Sequence, residues 1–191
     1  MTDADLARLA ARSYSAVPTW QSGDARAVRS GFVITVPGTD PARLEDWLTD
    51  LDAIPDHDRV LGICHYGFLL RARALLPLIL RDMDPREPLT LAGHSMGGAV
   101  AVLLAADLLA LGRPVSTVVT FGAPRAGGWW VRWLLRGVSV RQYRCGRDPV
   151  TSAVPRLWGL FWHARRPIAI GRSEPNPLCD HAITAYAAAL T

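Results

Sequence analysis

The chain has 191 residues, 50% hydrophobic and 20% charged, with a formal net charge of +4. That length and apolar content exclude a chain too short or too polar to bury a core, and residues 1–191 read as a single domain. All 21 basic residues are arginine, but they are scattered and only Arg165 and Arg166 are adjacent, so no specific nucleic-acid partner is expected and transient contact with an anionic membrane surface stays open.

Residues 1–8 are acidic and then amphipathic, without the uninterrupted apolar stretch of a secretory signal. The most apolar window, residues 98–111, is broken by Asp107 and is too short to span a bilayer. A cytoplasmic location is the default expectation, with export by another route left open.

Along the chain, residues 3–14 space Leu6, Leu9 and Ala10 as a helix, and residues 31–36 form a short β-rich run ended by Pro37-Gly38. Asp40-Pro41 supplies a cap and a first-turn proline for a helix over 42–51. Its Leu44, Trp47, Leu48 and Leu51 share a face that should pack on the sheet. A turn at 54–58 and an apolar segment at 60–64 lead to a helix over 68–80, interrupted by Pro77. A strand at 88–92, a helix at 98–111 and a β-branched run at 115–121 follow. Beyond a glycine-rich turn lie a tryptophan-rich segment at 129–135, strands at 138–143 and 168–170, and a closing helix at 180–190. Strands alternating with helices, several of them apolar throughout, predict a mostly parallel central sheet flanked by helices, an α/β fold. Cys64, Cys145 and Cys179 are odd in number and lack metal spacing; reduced thiols are the default, with a bridge between Cys145 and Cys179 left open.

Between the strand at 88–92 and the following helix stands Gly93-His94-Ser95-Met96-Gly97. Glycine two residues either side of a serine, at a sharp strand-to-helix turn, is the pattern of a nucleophile elbow. The turn lifts the hydroxyl above the sheet and points the developing alkoxide at a helix N-terminus, where Met96 supplies a backbone amide. A serine nucleophile needs a base and a carboxylate to orient it. Downstream, the histidines are His163 and His181, and the acids before His181 are Asp107, Asp148, Glu174 and Asp180. Asp107 falls mid-helix, whereas Asp148 directly follows a strand and is the best orienting acid; Asp180 is an alternative cap for the last helix. His181 sits after a proline-rich loop where the base belongs, and His163, in an aromatic segment, reads as structural. The loop after the first strand offers Thr39 as a second oxyanion donor. His94, Trp129, Trp158 and Trp162 are candidate pocket residues, although tryptophans at helix or strand spacing are more often core.

With those residues placed, the chain resembles the fungal-type class 3 lipases of the α/β-hydrolase fold. Pro37-Gly38-Thr39 is similar to that family's oxyanion segment, His65-Tyr66-Gly67-Phe68 to its His-x-Gly-Phe motif, and residues 90–99 to its elbow. Residues 120–127, Asp148-Pro149-Val150 and Asp180-His181 resemble the next strand and turn, the acid block and the base block. The resemblance implies a Ser95, Asp148, His181 triad with the Thr39 and Met96 amides as oxyanion hole. It also implies a carboxylic ester hydrolase acting on lipid esters of acylglycerol type, with no metal or cofactor. The interval from Leu51 to His65 leaves room for only a minimal lid. A short-chain esterase or thioesterase, and a catalytically silent module that binds a lipid or protein, are the alternatives.

Overall fold

The computed structural model describes residues 1–49 and 53–191. Helix α1 (Asp3–Arg12) opens with a capping box in which Thr2 and Asp5 bond reciprocally. Three strands follow, β1 (Trp20–Ser22), β2 (Ala25–Ser30) and β3 (Val33–Val36), then a 3-10 turn at Pro41–Arg43 and α2 (Leu44–Thr49). A separate antiparallel hairpin, β4 (Pro55–Asp58) and β5 (Gly62–His65), precedes α3 (Tyr66–Asp82), which runs through Pro77 without ending.

The centre of the chain is β6 (Leu89–His94), α4 (Met96–Ala110) and β7 (Val115–Phe121). After these come α5 (Trp129–Leu134), β8 (Ser139–Cys145), α6 (Val150–Ala153), β9 (Ile168–Ile170), α7 (Pro177–Asp180) and α8 (Ile183–Ala189). The described strands form a seven-stranded sheet in the order β1-β2-β3-β6-β7-β8-β9, parallel from β3 onward and antiparallel at the β1-β2-β3 edge.

Side-chain alternation along these strands builds two cores. Ile34, Leu91 and Val118 face one layer with α3 and α4, while Val33, Ala92 and Val119 face the other with Leu6, Ala7 and Ala10 of α1 and Tyr186 of α8. Helix α4 is apolar around almost its whole circumference and is buried from Met96 to Leu108. Because β3, β6, β7 and β8 are parallel, the loops at their carboxyl ends gather at one edge of the sheet, where α/β folds place ligands.

The structure departs from the sequence expectation in four places, the first being that α3 continues through Pro77, where an interruption was expected. The β1-β2 hairpin was not expected, and the stretch at 54–58, expected as a turn, is largely strand β4 paired to β5. The closing helix is broken into α7 and α8, so Asp180 ends α7 rather than capping a continuous helix. Of the face expected from Leu44, Trp47, Leu48 and Leu51, residue 51 and the side chains of Trp47 and Leu48 lie outside the described residues. No helix among the described residues is long and apolar enough to cross a membrane.

Candidate active site

Ser95 lies between the last residue of β6 and the first of α4, with φ 57° and ψ −135°. A positive φ is costly for a residue with a Cβ, and the surrounding turn over-determines it. A Cβ on Gly93 would stand 2.5 Å from the carbonyl oxygen of Gly97, and one on Gly97 would collide with the Val36 carbonyl. Both glycines are therefore required by the closeness of the turn. The backbone N–H of Ser95 donates to the Phe121 carbonyl at 2.9 Å, tying the elbow to the end of β7.

The loop after β8 carries Asp148, buried, with Oδ1 accepting from the Val150 amide at 2.8 Å. Its Oδ2 bonds His181 Nδ1 at 2.8 Å and accepts a short hydrogen bond from the Tyr186 hydroxyl. With Nδ1 committed to the carboxylate, His181 presents Nε2. That nitrogen and Ser95 Oγ are both buried, and neither has a hydrogen-bond partner among the described residues. Ser95 and His181 line one cleft of about 640 Å³ with Thr39, His94, Leu178 and Ile183, a volume in the range of small-ligand sites. Ala42, Leu44 and Asp46, from the segment expected to pack on the sheet, form part of its wall.

Thr39 and Met96 are adjacent: the Thr39 hydroxyl donates to Met96 Sδ at 3.8 Å. Met96 is the first residue of α4, where a backbone amide has no acceptor within the helix. His94 points into a proton-ordered chain. The Gly38 amide donates to the Tyr14 hydroxyl at 3.0 Å, and that hydroxyl pairs with His94 Nδ1 at 2.6 Å. His94 Nε2 donates to the His181 carbonyl at 2.7 Å. Burial, reinforced by the neighbouring His181, holds the His94 pKa well below the usual histidine range, so its ring is neutral.

The other candidates lie elsewhere. His163 Nε2 donates to the Thr151 carbonyl at 3.1 Å, and burial lowers its pKa to about 4. Asp180 accepts from the Arg147 and Glu174 amides, which hold its carboxyl below the usual range; it ties together the loops that carry Asp148 and His181. Asp107 is buried in α4 against Arg73 at 3.1 Å. Trp129 and Trp162, expected as pocket residues, do not border the cleft with Ser95 but line a different groove together. The turn after β7 carries α5 away from the cleft, and Trp162 is held by a bridge to Gly127 in that same turn. The Trp158 side chain lies outside the described residues. Cys64, Cys145 and Cys179 are all unbridged.

Three site residues escaped the sequence reading. Tyr14 and Tyr186 reach the site only through tertiary packing of α1 and α8, and no local pattern marks them. Gly122 was visible as part of a turn but not as the floor of the acid-base pair. A Cβ there would stand 2.6 Å from Asp148 Oδ2 and 2.9 Å from His181 Nδ1.

Comparison with known proteins fits this geometry. Residues 33–158 match the model of the lipase (class 3) family. Lipase A of Sodiomyces alcalophilus is 36% identical over 120 residues, which are 52% of this chain and 29% of that protein. A secreted mono- and diacylglycerol lipase of Gibberella zeae is 40% identical over 142 residues, covering 64% of this chain and 35% of the relative. The chain thus spans about a third of the length of these relatives. The triacylglyceride lipase of Rhizomucor miehei superimposes with a TM-score of 0.67 at 21% identity, over 87% of this chain and 77% of that one, which establishes a common fold.

Proposed function

The chain belongs to the class 3 lipase family, and from that premise we propose that it is a serine hydrolase cleaving carboxylic esters of lipids, of acylglycerol type, through an acyl-enzyme on Ser95. The observation that carries this reading is a Ser95 hydroxyl and a His181 Nε2, both buried and without partners among the described residues, at one cleft whose histidine is oriented by buried Asp148.

In this mechanism Ser95 Oγ attacks the ester carbonyl while its proton passes to His181 Nε2. Asp148, fixed by the Val150 amide and Tyr186, holds the imidazole tautomer and stabilises the imidazolium. The oxyanion is received by the Thr39 and Met96 amides, the latter favoured by the positive end of α4. Collapse of the tetrahedral species sends the alcohol away with the proton from His181. Water then repeats the attack on the acyl-enzyme with His181 as base, releasing the fatty acid. No step requires a metal or cofactor.

Leu44, Leu178 and Ile183 give the cleft apolar surface for an acyl chain. The test is hydrolysis of p-nitrophenyl esters of graded chain length and of emulsified mono- and diacylglycerols, by the wild type and Ser95→Ala together. Turnover of the longer esters and acylglycerols that disappears in Ser95→Ala is the expected result. Turnover confined to acetate and butyrate esters supports the short-chain esterase instead, and unchanged turnover in Ser95→Ala refutes the serine mechanism.

A further inference from the structure

We propose that the surface around α5 is a docking face for an anionic phospholipid layer. The inference extends the reading above and rests on it only in taking the substrate to be a lipid.

The arginines are seldom adjacent in sequence, but the fold brings Arg132, Arg136 and Arg165 to one groove. From Arg125 to Arg172 the sequence holds 10 of the 21 arginines and one acid, Asp148, which is buried at the active site. Five of the seven tryptophans fall in the same stretch. Trp129, Arg132, Trp133, Arg136, Trp162 and Arg165 line an open groove of about 390 Å³ without a carboxylate. Among the described residues none of these three arginines has an acidic partner, whereas Arg8, Arg71, Arg73, Arg81 and Arg141 do.

The aromatic side chains are displayed rather than buried. Trp129 is 63% exposed and Trp133 40%. Trp133 stacks on Trp130 at 4.5 Å between ring centroids, and the Arg136 guanidinium lies 3.8 Å above the Trp133 ring. Stacking fixes these side chains before any partner arrives and lowers the ordering entropy of binding. Trp129 also borders a second, mostly apolar groove of about 470 Å³ with Val60, Ile63, Trp130 and Leu160, at whose edge stand His57, Asp58 and Arg59, Asp58 being paired with Arg73. A basic groove for phosphate beside an apolar one for acyl chain matches the order of groups across a lipid surface. Indole rings settle at that boundary, and each arginine near an anionic leaflet adds attraction.

The test measures co-sedimentation with phosphatidylcholine vesicles, with and without phosphatidylglycerol. All proteins carry Ser95→Ala, so binding is read without turnover and the result stands whether or not the chain hydrolyses esters. Partition should rise with phosphatidylglycerol content and fall on the order of tenfold in Arg132→Gln/Arg136→Gln. It should fall less in the equal-charge control Arg86→Gln/Arg172→Gln, two exposed sites outside the groove. Trp129→Ala, a change at an exposed side chain, should also weaken partition and provides a second reading if the double variant misfolds. Equal losses in the two double variants would reduce the effect to net charge and overturn the proposal. So would partition indifferent to phosphatidylglycerol, or unaltered partition in folded groove variants.

Discussion

His94 donates its Nε2 proton to the backbone carbonyl of His181 at 2.7 Å, so the residue before the proposed nucleophile holds the loop that carries the proposed base. A carbonyl can only accept, which leaves His94 Nδ1 as the acceptor for the Tyr14 hydroxyl at 2.6 Å. Since Tyr14 also receives the Gly38 amide, one chain of hydrogen bonds links the turn after α1, the proposed oxyanion loop, the elbow and the loop of His181.

Tyr14→Phe cuts that chain at its centre and leaves His94 Nδ1 without its donor. The expected cost is about 1–3 kcal/mol of stability, since a buried polar group loses its partner. Turnover should fall several-fold to about tenfold with little change in KM, because the loop carrying Thr39 and the loop carrying His181 both lose support. Denaturant melts and ester kinetics on the same preparation measure the two effects.

Gly122→Ala should cost far more activity than stability. The residue has φ 62°, and the new Cβ would press on Asp148 and His181 together. Backbone strain of about 1 kcal/mol is expected, against a loss of turnover on the order of a hundredfold from misplacing the acid-base pair. A thermal melt beside kcat separates the two.

Oδ2 of Asp148 has two donors, His181 and Tyr186, and they should not contribute equally. Asp148→Asn should lower kcat by about four orders of magnitude, because the tautomer of His181 is no longer enforced. Tyr186→Phe removes a donor to the same oxygen but leaves the His181 bond, so a loss of about tenfold or less is expected. Burial beside Asp148 raises the Tyr186 pKa, so the hydroxyl stays a donor across the working range.

Asp107 and His163 should bend the stability curve in opposite directions across an overlapping pH range. Burial raises the Asp107 pKa from 3.8 to about 6, so the folded state holds its proton more tightly than the unfolded chain. Stability from this group therefore falls as pH rises from about 4 to about 6. Burial lowers the His163 pKa from 6.5 to about 4, so that contribution is lost as pH falls through the same interval. Asp107→Asn should stabilise the protein above pH 6, by up to about 3 kcal/mol, and His163→Gln should flatten the acid limb. Urea midpoints at pH 4, 5, 6 and 7 decide both, each pH being about a unit apart on the linkage curve.

Much of the candidate site was legible because its geometric demands are local. Gly93 and Gly97 are where backbone nearly touches backbone, and Asp148 and His181 are placed by chain order at the ends of successive elements. The tyrosines were not, because a side chain arriving from the turn after α1 or from α8 leaves no mark within a few residues of its own position. Strand β4, Pro55-Asp56-His57-Asp58, is polar and proline-led and reads as a turn; pairing with β5 overrides that preference. Trp129 and Trp162 miss the cleft for a different reason. Spacing along α5 shows that Trp129, Trp130 and Trp133 lie near one another, but it does not reveal which way the turn at residues 122–127 aims that helix.

The central claim is that Ser95 is a nucleophile activated by His181. Its most direct test is intact-protein and peptide mass spectrometry after brief exposure to a fluorophosphonate. A single covalent adduct on the peptide containing Ser95 is expected, absent in Ser95→Ala and formed far more slowly in His181→Asn. An unmodified wild-type protein, or an adduct on another residue that persists in Ser95→Ala, would contradict it.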